Sequence, residues 1–116
     1  MPCRSSLLPV GISFGLTLGG CVSVSVDPIA PLVSEQMSEV ATVPAVVLER
    51  GRQLYLGQCA RCHDVEPVSK FGNDRWRDIV ADMSERASLL PKDRAAVLAY
   101  VLSATAVQLR RSERNR

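Results

Sequence analysis

A chain of 116 residues, 47% apolar and with a formal charge of +2, has room for one small domain and short appendages. That length excludes a multidomain enzyme, and the near-balance of acids and bases excludes the basic footprint of a nucleic-acid binder. The four cysteines, at 3, 21, 59 and 62, do not read as a disulfide framework, because two fall in or beside an apolar N-terminal stretch and two form a single C-x-x-C.

The N-terminus carries one positive charge, Arg4, then an apolar stretch from Leu7 to Leu18, and closes on Leu18-Gly19-Gly20-Cys21. This is the architecture of an export signal. About 20 consecutive apolar residues are needed to span a bilayer, and the stretch here is shorter and broken by Pro9, Gly11 and Gly15. Small residues ending in cysteine resemble the lipobox of bacterial lipoproteins. That resemblance implies a signal peptide over 1–20 and lipidation of Cys21, the first residue of the mature chain. Val22, rather than aspartate, follows the cysteine, as in lipoproteins sorted to the outer membrane of a diderm bacterium. The expected location is therefore a membrane face toward the periplasm, outer more than inner.

Residues 21–43 mix Ser, Val and acids with Pro28 and Pro31 and show no helical periodicity, so they are expected to form a flexible, lipid-anchored tether. Such a tether would have a reach of about 25 Å and a maximal extension of roughly 70 Å. From Pro44 the pattern changes. Val47, Leu48, Gly51, Leu54 and Tyr55 recur at helical spacing and lead into Cys59. Trp76, Ile79, Val80 and Met83 mark a second helix, with Asn73 or Asp74 as its cap. A third begins at Pro91, carries Asp93 in its first turn, and repeats apolar groups at Val97, Leu98, Val101 and Leu102. It gives way to a basic tail over 110–116. No strand is evident, so the class is all-α. About three short helices bury too little surface to be stable unaided, which calls for something further in the core.

Cys59-Ala60-Arg61-Cys62-His63 is the pattern by which haem is attached covalently. Two intervening residues let both sulfurs reach the vinyl groups on one porphyrin edge, and the next residue brings its imidazole beneath the iron. Three rivals compete for the same residues. A redox-active dithiol requires a βαβ surround, which the sequence does not predict. A zinc site requires four ligands, and only three lie together. A chance occurrence at a helix end leaves the deficient core unexplained. His63 is the only histidine in the chain.

With these residues in view, 44–109 resembles a small class I cytochrome c domain. In that family an N-terminal helix with a glycine and an aromatic residue crosses a C-terminal helix bearing another aromatic, and Gly51, Tyr55 and Tyr100 stand at the corresponding places. The resemblance implies an all-α domain folded around one haem c held by Cys59 and Cys62, with His63 as proximal iron ligand and Pro67 against it. With no second histidine, the familiar sixth ligand is a methionine thioether, and Met83 is the candidate: Met1 lies in the signal and Met37 in the tether. The interval from Trp76 to Met83 also occurs in short cytochrome domains of this kind. As core filler, Met83 would need no iron. Phe71 and Trp76 are read first as packing residues.

The resulting expectation is an exported, lipid-anchored, monohaem electron carrier, not itself an enzyme, exchanging single electrons with a redox donor and acceptor. The alternatives are a haem sensor or peroxidase-like protein with an open sixth position, and the cytochrome subunit of a larger dehydrogenase.

Overall fold

The computed structural model describes residues 28–116, and every regular element among them is helical. The expected signal peptide and Cys21 lie outside the described residues. No helix among the described residues is long and apolar enough to cross a membrane.

Residues 28–43 are not a free tether: they are docked on the rest of the chain. Ser34 opens helix α1, Glu35–Ala41, by accepting a hydrogen bond at its hydroxyl from the Met37 amide. Met37 is only 2% exposed, and Val33, Val40 and Ala41 pack around the same core. Upstream, three successive carbonyls are held by distant donors: Ile29 by the Val68 amide at 3.0 Å, Ala30 by Arg52 Nε at 3.3 Å, and Pro31 by the Tyr100 hydroxyl at 2.8 Å. Interactions of this sort, made by backbone oxygens with partners far along the chain, leave no periodic trace in the sequence.

Thr42, in the left-handed region at φ 55°, turns the chain toward α2, Ala45–Gly57, which buries Leu48, Gly51, Leu54 and Tyr55 as their spacing predicts. A 3₁₀ turn at Cys59–Arg61 follows directly, and another spans Val68–Lys70. Helix α3, Asn73–Arg86, starts one or two residues earlier than a cap at Asn73 or Asp74 would allow. Gly72 is the capping residue, its carbonyl accepting from the Trp76 amide at 3.0 Å, which leaves Asn73 already helical and Asp74 in the first turn.

The end of α3 is closed by two reversed bonds, Leu89 N–H to the Ser84 carbonyl and Ser88 N–H to the Glu85 carbonyl, with Ser88 at φ 54° in the place glycine usually takes. Leu90 is extended, as a residue before proline must be, and Pro91 is the first residue of α4, Pro91–Arg114. The helix does not give way near Leu109. Arginine is a good helix former, and Arg110, Arg111 and Arg114 continue the ladder to its end, so the expected tail over 110–116 is mostly the last turns of α4.

Helix α4 packs against each of the other three helices. Its crossing with α2 is a backbone contact: a Cβ at Gly51 would lie 2.1 Å from the Ala96 carbonyl oxygen and 2.8 Å from Tyr100 Cβ. Beside it, Arg50 Nε and its terminal nitrogen each donate at 3.2 Å to one oxygen of Asp93 in the first turn of α4. This two-pronged pair fixes the rotation of one helix on the other. The core (Leu48, Tyr55, Val68, Trp76, Val97, Tyr100 and Val101, all at most 4% exposed) closes with α1 and the upstream strap supplying what three helices lack.

Gly51→Ala is expected to destabilise the fold by about 1–3 kcal/mol despite alanine's better helix propensity, read as a lower urea midpoint. Gly57→Ala, where an added Cβ meets nothing within 4 Å, is the control that leaves the midpoint unchanged or raised. The hydrogen bonds and charge of Arg50 hold the Asp93 carboxyl below its ordinary value. A carboxyl with a depressed folded pKa contributes stability above its unfolded value of about 4 and loses it as pH falls through the folded one. Arg50→Gln should therefore lower the melting temperature at neutral pH, with the gap to the parent closing in strong acid.

Candidate functional site

The 3₁₀ turn after α2 and the loop to α3 put Cys59, His63 and Met83 on the wall of one cleft, about 500 Å³ including its open mouth. The remaining wall is predominantly apolar: Val65, Phe71, Trp76, Ile79, Val80 and Val97, with Tyr55 at the back. A second hollow shares Cys59, His63 and Met83 with the first and adds Cys62, Arg61 and Arg86. Cys59, Cys62, His63 and Met83 all line this second hollow, whose rim carries Arg61 and Arg86.

The local chemistry of each donor follows from its surroundings. His63 is exposed, and its Nδ1 lies 2.8 Å from the Asp64 carbonyl oxygen. A carbonyl can only accept, so Nδ1 is the donor in this contact, and in a neutral ring Nε2 is then the nitrogen with the lone pair. That is the tautomer a metal-binding imidazole needs, with the other ring nitrogen oriented by an outer partner. The Asp64 carbonyl is the hydrogen-bond partner of the ring, and Pro67, further along the same loop, flanks the Val68–Lys70 turn. Met83 is half-buried on the α3 stripe that also carries Trp76 and Val80, and its thioether borders the cleft.

Cys59 is half-buried and burial pushes its thiol pKa up, whereas Cys62 is exposed. A dithiol that works by nucleophilic attack depends on a lowered thiol pKa, and Cys59 is shifted the other way. Among the described residues no group of three or more His, Cys, Asp or Glu side chains is placed to hold a metal ion between them. The cleft instead pairs one nitrogen and one thioether donor with an apolar wall and two flanking thiols, a donor set that fits a flat apolar macrocycle better than a bare ion.

The back of the cleft is firmly built. Trp76, 2% exposed, donates from Nε1 to the Val68 carbonyl at 2.9 Å, and the Thr105 hydroxyl lies 2.8 Å from the same oxygen. Phe71 meets Trp76 edge to face with centroids 5.3 Å apart, and Tyr55 does so at 6.1 Å. Phe71 and Trp76 therefore both pack and line. Tyr55 donates its hydroxyl to the Glu66 carbonyl, tying the loop after His63 back to α2, and burial raises its pKa so that the donor is retained in alkali. Val65 and Glu66 were not singled out by the sequence reading, and their loop carries no periodicity by which to find them. Cys21 lies outside the described residues.

Comparison with known family models, characterised proteins and solved structures returns no match for this chain. The site's own geometry must carry the functional argument.

In protein made without any covalent attachment at these sulfurs, iodoacetamide is expected to alkylate Cys62 well before Cys59. Peptide mass mapping over a time course would read the order, and equal rates would contradict the half-buried placement of Cys59.

Proposed function

We propose that this chain is an exported, lipid-anchored, monohaem c-type electron carrier whose site is the cleft between α3 and the Cys59–His63 segment. The observation that carries the reading is the convergence of Cys59, His63 and Met83 on one apolar cleft, with Cys62 on its rim. Cys59 and Cys62 would hold the haem by thioether bonds, and His63 Nε2 and the Met83 thioether would be its iron ligands. The haem iron, when bound, supplies reversible one-electron chemistry.

The chain's own residues account for the rest. The Asp64 carbonyl orients the His63 ring, while Val65, Phe71, Ile79, Val80 and Val97 exclude water from the cleft interior. A thioether opposite an imidazole raises the reduction potential and closes the iron to small molecules. Such a protein passes electrons between a redox donor and acceptor and is not itself an enzyme. Export and anchoring at Cys21 are supported by the N-terminal sequence pattern, and export agrees with haem attachment outside the cytoplasm. A periplasm-facing membrane location, outer more than inner, accompanies that reading.

Absorption spectroscopy and intact mass of natively exported protein test the proposal. The expected result is a coloured protein whose mass exceeds polypeptide plus lipid by one haem, with a ferric thioether-to-iron charge-transfer band. Met83→Ala should abolish the band, lower the reduction potential and admit carbon monoxide to the reduced form. Colourless mature protein would defeat the haem reading. Fast carbon monoxide binding by the parent would favour a sensor or peroxidase with an open position. Co-purification with a larger enzyme in gentle detergent would make the chain a dehydrogenase subunit.

A further inference from the structure

Two exposed large apolar side chains, Ile29 at 50% and Leu32 at 74%, belong to the strap upstream of α1. Their exposure is not slack. The carbonyls of Ile29, Ala30 and Pro31 are each bonded to the body, and Ser34 and Met37 fix the chain just beyond Leu32. With its backbone fastened on both sides, the strap cannot rotate these side chains inward.

The length of chain upstream says what they meet. Only residues 22–28 separate Cys21 from Ile29, the first residue whose carbonyl is held by the body. Fully extended, that span reaches at most about 29 Å, well short of the maximal extension of roughly 70 Å expected of a tether running to residue 43. We infer that the strap seats the helical body directly on a lipid bilayer, with Ile29 and Leu32 entering the headgroup layer. The inference rests on the reading that Cys21 carries the lipid.

Charge favours the same orientation. Arg110 and Arg114 of α4 share a shallow hollow with Gln36 and Glu39 of α1, the helix into which the strap leads. Arg111 and Arg116 are exposed on the same end of the chain, so the four arginines outnumber the nearby acids Glu35, Glu39 and Glu113. A leaflet containing anionic lipid attracts such an end. Leu90, also exposed, lies at the opposite end of α4 from these arginines, about 30 Å along the helix from Arg110.

The test uses mature lipidated protein on vesicles of phosphatidylethanolamine and phosphatidylglycerol, carrying one added thiol by Ile29→Cys, Leu32→Cys or Leu90→Cys. A bulky, membrane-impermeant maleimide reports access, with the parent protein giving the background. The expected result is a several-fold slower reaction at 29 and 32 on vesicles than in detergent, and no change at 90. Equal rates at 32 and 90 on vesicles, with lipid present at Cys21, would overturn the seating while leaving the anchor intact. A mature mass without lipid at Cys21 would overturn both. Protection at 29 and 32 that follows protein concentration and not lipid would make the covering surface a second copy and reject the inference.

Discussion

The crossing of α2 and α4 at Gly51 is the constraint from which the remaining geometry follows. The Ala96 carbonyl occupies the space a side chain would need, so the two helix backbones come into direct contact there. That approach brings Arg50 level with Asp93, and it sets Tyr55 and Tyr100 with ring centroids 6.3 Å apart. Tyr55 then reaches the loop after His63 and Tyr100 reaches the strap. One absent Cβ thus positions the wall of the cleft on one side and the N-terminal segment on the other.

How much of this was legible depended on the range of the interaction. The starts of α2 and α4 and the buried stripes of α2, α3 and α4 were readable, because each is set by residues three or four apart. The cap of α3 was misplaced by one or two positions, since a glycine carbonyl does the capping without any side-chain signature. The end of α4 was misread because a change from apolar to arginine-rich surface is a change of exposure and not of conformation. Helix α1 has only seven residues, below the window in which periodicity is usually sought. Ser34 followed by Glu35, with Val33, Met37 and Val40 four and three apart, was nonetheless a usable signal for it.

The site divides along the same line. Cys59, Cys62, His63 and Met83 were identified from residue type and spacing, and the structure brings all four to one depression. No periodic signal announced the Asp64 carbonyl as the partner of the His63 ring. The missing core material was sought in a cofactor alone, whereas strap and α1 provide much of it from the polypeptide. The cleft opens directly off that core, since Tyr55, Trp76, Val80 and Val97 belong to both.

Val68 shows what such an arrangement demands of the chain. Its amide is given to Ile29, and its carbonyl is met by both Trp76 and Thr105, so a single peptide segment joins the strap, the cleft wall and α4. Loops normally tolerate gain or loss of residues. Here one residue inserted between Pro67 and Val68 would carry that amide and carbonyl out of register and forfeit the bonds to Ile29 and Trp76 together, while the Thr105 hydroxyl keeps the Val101 carbonyl as an acceptor. Irregular as it is, the chain at Val68 is therefore held as firmly in register as a turn of helix.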